Sequence, residues 1–168
     1  MSSPPIDDEQ VEVVDEAGNV TGVASRAEVR ARNLRHRSVF VAVMNDAGEV
    51  LVHRRAEHKD LWPGAWDVAF GGVVAVGEGW EQAAARELDE EAGVVAELHY
   101  LGEDTYEDDL VRELARVYLV RHDGPFSFRD GEVTDAAWVP RDQLAEWLTR
   151  HDVCPDSRLL VVPRLDAP

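Results

Sequence analysis

Three glutamates within one short stretch of the chain could bind a divalent metal ion. Glu87 and Glu90 are three residues apart, and Glu87 and Glu91 are four apart, so a helix would place all three on one face. Like charges at this spacing destabilise a helix by roughly a few tenths of a kcal/mol per pair. A solvated acidic face is one interpretation of the cluster. The other is a hard cation such as Mg²⁺, which prefers carboxylate and water oxygens.

The residues around this cluster favour the metal site. Gly72 would end a strand and begin the loop toward the helix, and a glycine there lets the backbone approach a metal or phosphate closely. Glu78 lies just before the helix, where the helix dipole favours a negative charge. Arg86 precedes the acidic cluster and could anchor it by pairing with a carboxylate.

The spacing of these residues resembles the Nudix box at every defining position. Gly72 is followed at fixed intervals by Glu78, Arg86-Glu87-Leu88, Glu90-Glu91 and Gly93-Val94, which makes nine fixed positions over 23 residues. The resemblance implies an α/β fold, the Nudix α/β/α sandwich with a mixed β-sheet. It also implies hydrolysis of a nucleoside diphosphate linked to another group, with Mg²⁺ or Mn²⁺ as the cofactor.

The resemblance assigns roles to the residues of the box. Glu87 and Glu91 would be direct metal ligands, joined by the Gly72 carbonyl group, and Glu90 would be a further ligand or the base. The expected catalytic residues are Glu90, Glu91 and Arg86, with Arg86 acting mainly by supporting the carboxylates. Metal ions would offset phosphate charge and lower the pKa of a bound water, whose proton a carboxylate takes. That carboxylate is Glu90 or one outside the box.

A second resemblance covers roughly residues 14–147 and introduces an alternative activity. His36-Arg37-Ser38, Arg54-Arg55-Ala56, Lys59 and the segment 62–66 look like the isopentenyl-diphosphate isomerase branch of the same superfamily. An isomerase of this kind moves a double bond by proton transfer instead of hydrolysing a diphosphate.

Three departures from this branch favour hydrolysis. The isomerases need a cysteine where this chain has Gly71, a metal-binding histidine where it has Val73, and an arginine where it has Glu87. The single cysteine, Cys154, lies far along the sequence, near the C-terminus. With Glu87 present, the hydrolytic metal site is complete. A non-catalytic Nudix module that binds a nucleotide is a third hypothesis, and the intact box glutamates weigh against it.

Several residues outside the box match functional positions of the branch. Arg55 and Lys59 match residues that hold the diphosphate and are the expected substrate-binding residues, with two exposed basic residues as the alternative. Glu113 matches a ligand carboxylate and is the expected additional metal ligand, with Glu132 as the alternative. His36 matches a metal ligand but lacks its partner histidine, so a structural role is predicted.

The local sequence pattern predicts the elements that would hold these residues. Two hairpins are expected, from strands at 11–14 and 20–24 and from strands at 39–44 and 50–53. The clearest helix runs from Gly79 to Ala92, with Gly93 as its left-handed end. The remaining predictions are a helix at 26–32, a rigid loop at 62–66, a strand at 67–76 interrupted by Gly71-Gly72, strands at 98–101 and 113–120 around an acidic loop at 104–109, a strand at 133–139, a helix from Pro140 through Leu148, and a weakly patterned tail from His151.

Length and charge limit the classes of function. The 168 residues suit one domain, expected at 11–168 after a flexible N-terminal tail at 1–10. The formal charge of −17 would repel nucleic acid, and neither a membrane span nor a secretory signal is expected. With one cysteine and no signal, a cytoplasmic location is expected. The expected partner is a small-molecule diphosphate, and the N-terminal strands are a candidate homodimer interface. The attached group is open among nucleoside di- and triphosphates, nucleotide sugars, dinucleotides and isoprenoid diphosphates.

Overall fold

The computed structural model describes residues 8–166, so most of the tail predicted at residues 1–10 lies outside the described residues. The strands are β1 (Gln10–Val14), β2 (Val20–Ser25), β3 (Arg35–Met44), β4 (Glu49–Arg55), β5 (Trp66–Asp67), β6 (Phe70–Val73), β7 (His99–Glu107), β8 (Arg112–Arg121) and β9 (Val133–Pro140). The helices are α1 (Arg26–Arg32), α2 (Trp80–Ala92), α3 (Leu144–Arg150), α4 (Pro155–Leu160) and α5 (Val162–Leu165), with a 3₁₀ turn at Arg141–Gln143 before α3.

The nine strands of the described chain form one mixed sheet around β3. Strand β8 runs parallel to β3 along its whole length, from Arg35 opposite Arg112 to Met44 opposite Arg121. Strands β1, β6 and β4 pair with β3 in the antiparallel sense. Because side chains alternate between the two faces of a strand, β3 contributes to two separate cores.

Helices cover both faces of this sheet, which confirms the predicted α/β/α sandwich. On one face, α2 packs against the odd-numbered residues of β3 through buried side chains that include Ala84 and Leu88. On the other face, α3, α4 and α5 pack through Leu148, Leu160 and Leu165. A third, smaller cluster joins α1 to β1, β2 and β6.

The loop predicted at 104–109 is wrong, and the tail for which no element was predicted forms two helices. The acidic segment 104–109 is mostly strand, because β7 extends to Glu107 and pairs with β8 across its length. A basic residue of β8 pairs with this segment, because Arg112 Nε lies 3.6 Å from Glu107 Oε1. The tail after His151 forms α4 and α5, because its apolar residues complete the core beneath the sheet.

Two smaller differences concern glycine and proline. Gly71 and Gly72 do not interrupt a strand but lie inside β6, where they pair with Phe40 and Val39. The helix predicted from Pro140 begins as the 3₁₀ turn and becomes α-helical at Leu144. No helix within residues 8–166 has the length and apolar character needed to cross a membrane.

Candidate active site

Helix α2 carries the predicted carboxylates and is fixed at both ends. Its first turn is capped where the Gly79 N–H donates to the Gln82 side chain at 3.4 Å. Its last turn ends at Gly93, whose φ of 66° is the left-handed conformation that favours glycine. Ala83, Ala84, Leu88 and Ala92 are buried against the sheet, which sets the rotation of the helix and the direction of its glutamates.

The two glycines of β6 allow two carboxyl groups of α2 to lie against the strand backbone. The Gly71 N–H donates to Glu91 Oε2 at 3.1 Å. A Cβ atom on Gly72 would lie 2.5 Å from Glu87 Oε1, so any residue other than glycine would displace this carboxyl group from its position. A Cβ atom on Gly71 would collide with the Val39 carbonyl oxygen. The structure therefore brings Gly72, Glu87 and Glu91 together, as the box predicted.

Arg86 holds the carboxylates in place from the opposite side. Its Nε and Nη2 atoms donate to the two oxygens of Glu78 at 2.7 and 3.0 Å. Its Nη1 atom donates to Glu87 Oε1 at 2.7 Å and to Glu90 Oε2 at 3.4 Å. Its Nη2 atom also donates to the Val73 carbonyl at 3.2 Å, which ties α2 to β6. The bonds to Glu78 raise the pKa of Arg86 further, so the guanidinium is a permanent charge.

Burial makes the charged forms of the Glu87 and Glu91 carboxyl groups unfavourable. Burial raises the pKa of Glu87 to about 7, although Arg86 opposes that rise. Burial, and then the proximity of Glu87, raises the pKa of Glu91 well above its ordinary value. A divalent cation beside these groups would stabilise both in the charged form.

Glu90 differs from its two neighbours in exposure. Its side chain is 59% exposed, whereas that of Glu87 is 13% exposed. Glu90 therefore faces solvent with one oxygen directed toward Arg86. In residues 8–166 no three His, Cys, Asp or Glu side chains form a ready-made metal-binding group. The Glu87–Glu91 pair still fits Mg²⁺, which is usually held by one or two carboxylates while substrate phosphates and waters complete its shell.

A cavity beside Gly72 and Glu91 is lined by substrate-binding and metal-binding candidates that were predicted outside the box. Arg55 and Lys59 both line it. The Arg55 Nε atom donates to the Leu61 carbonyl at 3.1 Å, and its Nη1 atom lies 3.7 Å from Asp67 Oδ2. These two cations are therefore partly enclosed and not simply exposed on a loop.

The two candidates for an additional carboxylate ligand have different surroundings. Glu132 lies 2.8 Å from Lys59 Nζ and is neutralised by it. Glu113 lies on β8, lines the cavity and is buried, and its Oε1 atom has no hydrogen-bond partner in the described chain. Burial raises the pKa of Glu113 to about 7.

Asp156 of α4 is a cavity residue that the sequence did not reveal. Its side chain lies against the Glu113 carboxyl group, and burial, followed by Glu113, raises its pKa well above the ordinary value. The C-terminal tail carries no recognisable motif, and only the packing of α4 brings Asp156 here. Arg26, Arg30 and Asp60 also line the cavity and were likewise not predicted.

His36 and Cys154 both lie deeper than the box carboxylates. The His36 Nδ1 atom is 3.0 Å from the Leu34 carbonyl, and burial lowers its pKa to about 4, so the ring is neutral. Cys154 is distant in sequence but not in space, because its N–H donates to the Trp66 carbonyl at 2.8 Å and its thiol lies beside Asp67. Burial raises the pKa of the Cys154 thiol, which keeps it protonated.

The fold and the site together define an α/β/α sandwich in which a glutamate-bearing helix is docked on a glycine-containing strand. A family model of the NUDIX domain matches residues 34–158. An uncharacterized Nudix hydrolase of Pseudomonas aeruginosa is 35% identical over 162 residues, which cover 96% of each chain. Another, from Streptomyces coelicolor, is 38% identical over 153 residues that cover 89% of this chain and 84% of that protein.

A solved structure agrees with these sequence relatives. The crystal structure of DR0079 from Deinococcus radiodurans has a TM-score of 0.79 and 27% sequence identity, and the match covers 94% of this chain and 99% of that one. This chain belongs to the Nudix hydrolase family, whose members act generally on diphosphate-containing substrates.

Proposed function

We propose that this hydrolase cleaves the diphosphate linkage of a nucleoside diphosphate derivative, with Mg²⁺ or Mn²⁺ as its cofactor. The observation that carries the proposal is the position of Glu87 and Glu91, two buried carboxyl groups set against the glycine backbone of β6. Buried carboxylates that lack enough neighbouring positive charge destabilise a fold. A bound metal cation is therefore expected beside Glu87 and Glu91.

Glu87 and Glu91 would hold the metal ion, with the Gly72 carbonyl group and Glu113 as further candidates. When bound, the ion would offset the charge of the diphosphate and lower the pKa of a coordinated water. Arg86 keeps Glu87 in place through the 2.7 Å bond from its Nη1 atom, and it reaches Glu90 through the same nitrogen. The metal-binding form of the site needs both glutamates deprotonated, which Arg86 favours for Glu87.

Residues outside the helix would position the substrate. Arg55 and Lys59 line the cavity next to Glu91, where their charges suit the diphosphate oxygens. Glu90 is the candidate general base, since its exposed carboxylate can accept a proton from water and pass it to solvent.

A substrate screen tests the proposal. The protein would be incubated with Mg²⁺ and nucleoside di- and triphosphates, nucleotide sugars, dinucleotides and isoprenoid diphosphates, and the release of phosphate or nucleoside monophosphate would be measured. Isomerisation of isopentenyl diphosphate would be followed in parallel. Glu91→Gln is the test variant, and Glu81→Gln is its matched control because Glu81 lies exposed in the first turn of the same helix.

The expected result is hydrolysis that a chelator abolishes, that Glu91→Gln reduces by at least about a hundredfold, and that Glu81→Gln leaves unchanged. Isomerisation without hydrolysis would reject the proposal in favour of an isomerase. Binding of a nucleotide without turnover, equal in both variants, would identify a binding module instead.

A further inference from the structure

Helix α1 directs two arginines, one turn apart, into the cavity described above. Arg26 and Arg30 are four residues apart and therefore share a face of α1, and both line the cavity. Val29 is buried in the small cluster with β1, β2 and β6, which fixes the helix against the sheet. Each arginine side chain is 21% exposed, so neither is a freely solvated surface charge.

The two arginines share one carboxylate. Arg30 Nε lies 3.1 Å from Asp60 Oδ2, and Arg26 Nη2 lies 3.8 Å from the same oxygen. Arg30 and Arg26 hold the pKa of Asp60 below its ordinary value, against the opposing effect of burial. One carboxylate facing two guanidinium groups leaves a net positive charge. Asp60 is 46% exposed at the cavity, where a bound anion could displace it.

Cations and carboxylates both line this cavity, and Arg26 and Arg30 are two cations that share a single carboxylate. The protein has a formal charge of −17, and four of its 17 lysines and arginines line this cavity together with five carboxylates, Asp60, Asp67, Glu91, Glu113 and Asp156. Arg55 and Lys59 are paired with Asp67 and Glu132, close to the proposed metal site. Arg26 and Arg30 approach from a different segment, and because they share only Asp60, one of their two positive charges is left to bind an anion.

We propose that Arg26 and Arg30 bind the terminal phosphate of the substrate, so that nucleoside di- and triphosphates are preferred to diphosphates capped by a neutral sugar. The inference rests on the proposed diphosphate hydrolysis. A terminal phosphate carries about one more negative charge near neutral pH than a phosphate esterified on both sides, and its free oxygens accept the forked donors of arginine. Asp60 occupies this anion position in the absence of substrate and leaves it when the phosphate binds.

The test compares two substrates that share a nucleoside, a nucleoside triphosphate and the same nucleoside diphosphate linked to glucose. We expect Arg30→Gln to reduce kcat/KM for the triphosphate by about tenfold or more, mainly through KM, because a charge-assisted hydrogen bond is lost. Turnover of the sugar nucleotide should change by less than about twofold. Arg32→Gln is the matched control, since Arg32 lies on the same helix but pairs with Glu28.

Asp60→Asn separates a binding role from a structural one. If Asp60 competes with phosphate, its neutral replacement should lower KM for the triphosphate several-fold while leaving the sugar nucleotide unchanged. If the ion pairs only stabilise the fold, Asp60→Asn should lower the melting temperature without changing the ratio of the two kcat/KM values, and the inference fails. Arg30→Lys keeps the positive charge and should retain part of the preference for the triphosphate. This variant keeps the inference testable even if Arg30→Gln does not fold.

The outcomes distinguish this inference from the proposed function. If the wild type hydrolyses diphosphates but folded Arg30→Gln keeps the same substrate ratio, the inference is rejected and the proposed function stands. If the wild type hydrolyses none, inorganic triphosphate would be titrated by calorimetry in the presence of Mg²⁺. Weaker binding to Arg30→Gln, with unchanged binding to Arg32→Gln, would support the arginine site alone, and equal binding to all three proteins would overturn it.

Discussion

Replacing Glu87 by glutamine should stabilise the metal-free protein at pH 8 and abolish its stabilisation by Mg²⁺. Glu87 is 13% exposed and lies against the Gly72 backbone, where its charge is poorly solvated. Glutamine has the same size and keeps an oxygen that can accept the bond from Arg86 Nη1. The substitution therefore removes the buried charge while preserving the packing.

The magnitude follows from the pKa of Glu87. Burial raises that pKa from 4.5 to about 7, and each pKa unit corresponds to roughly 1.4 kcal/mol. In this range the folded protein binds the proton more tightly than the unfolded chain, so stability falls as the pH rises from about 4.5 to 7. The charged glutamate therefore costs about 3 kcal/mol at pH 8 and under about 1 kcal/mol at pH 5.

Thermal unfolding at pH 5 and pH 8, with and without Mg²⁺, measures this effect. Without metal at pH 8, Glu87→Gln should melt roughly 5–10 °C above the wild type, and the gap should nearly close at pH 5. Saturating Mg²⁺ should raise the wild-type melting temperature, because the ion binds only the folded site. Mg²⁺ should leave the melting temperature of the variant almost unchanged. The difference in melting temperature between the two proteins should therefore shrink or change sign.

The control is Glu81→Gln, an exposed position on the same helix, which should respond to pH and Mg²⁺ like the wild type. The explanation by buried charge would be refuted if metal-free Glu87→Gln melted at or below the wild-type temperature at pH 8. A full Mg²⁺ response in the variant would separately reject Glu87 as a metal ligand.

Three further predictions concern the same site. Glu91→Gln should reduce Mg²⁺-dependent turnover by about a hundredfold or more, measured as kcat under saturating metal, while the folded structure persists. Arg86→Lys should lower turnover by about ten- to a hundredfold, because a lysine cannot make the paired bonds to Glu78 and also reach the neighbouring carboxylates; a kinetic profile within twofold of the wild type would contradict this. Gly71→Ala should destabilise the protein by about 3 kcal/mol in urea unfolding, since the added Cβ collides with the Val39 carbonyl group.

The packing of β6 gives a physical argument against the isomerase alternative. An isomerase would need a cysteine at the position of Gly71, but this backbone leaves no space there for any side chain. The thiol that the chain does possess, at Cys154, is buried beside Asp67 and is kept protonated. The sequence showed that Gly71 stands where the isomerases have a cysteine. The close packing of β6 on β3 explains why a single substitution could not place a cysteine there.

Helix α2, which carries the Nudix box glutamates, could be predicted from the sequence because its geometry is local. A spacing of three and four residues places Glu87, Glu90 and Glu91 on neighbouring positions of any α-helix, and Gly93 ends that helix wherever it packs. The helix at 26–32 and the first strands could be predicted for the same reason. Helix capping and the alternation of apolar and polar residues along a strand involve only residues that are close in sequence. The motif therefore determined the family and the class of chemistry.

Only the tertiary structure decided which other residues share the site and what charge they carry. Arg26, Asp60 and Asp156 come from three separate segments, and no pattern along the chain relates their positions. Their meeting depends on α1, β8 and α4 packing around one cavity, which is a non-local consequence of burying apolar surface. The raised pKa of Glu87 has the same origin, because burial is a property of the assembled fold and not of the helix that carries the residue.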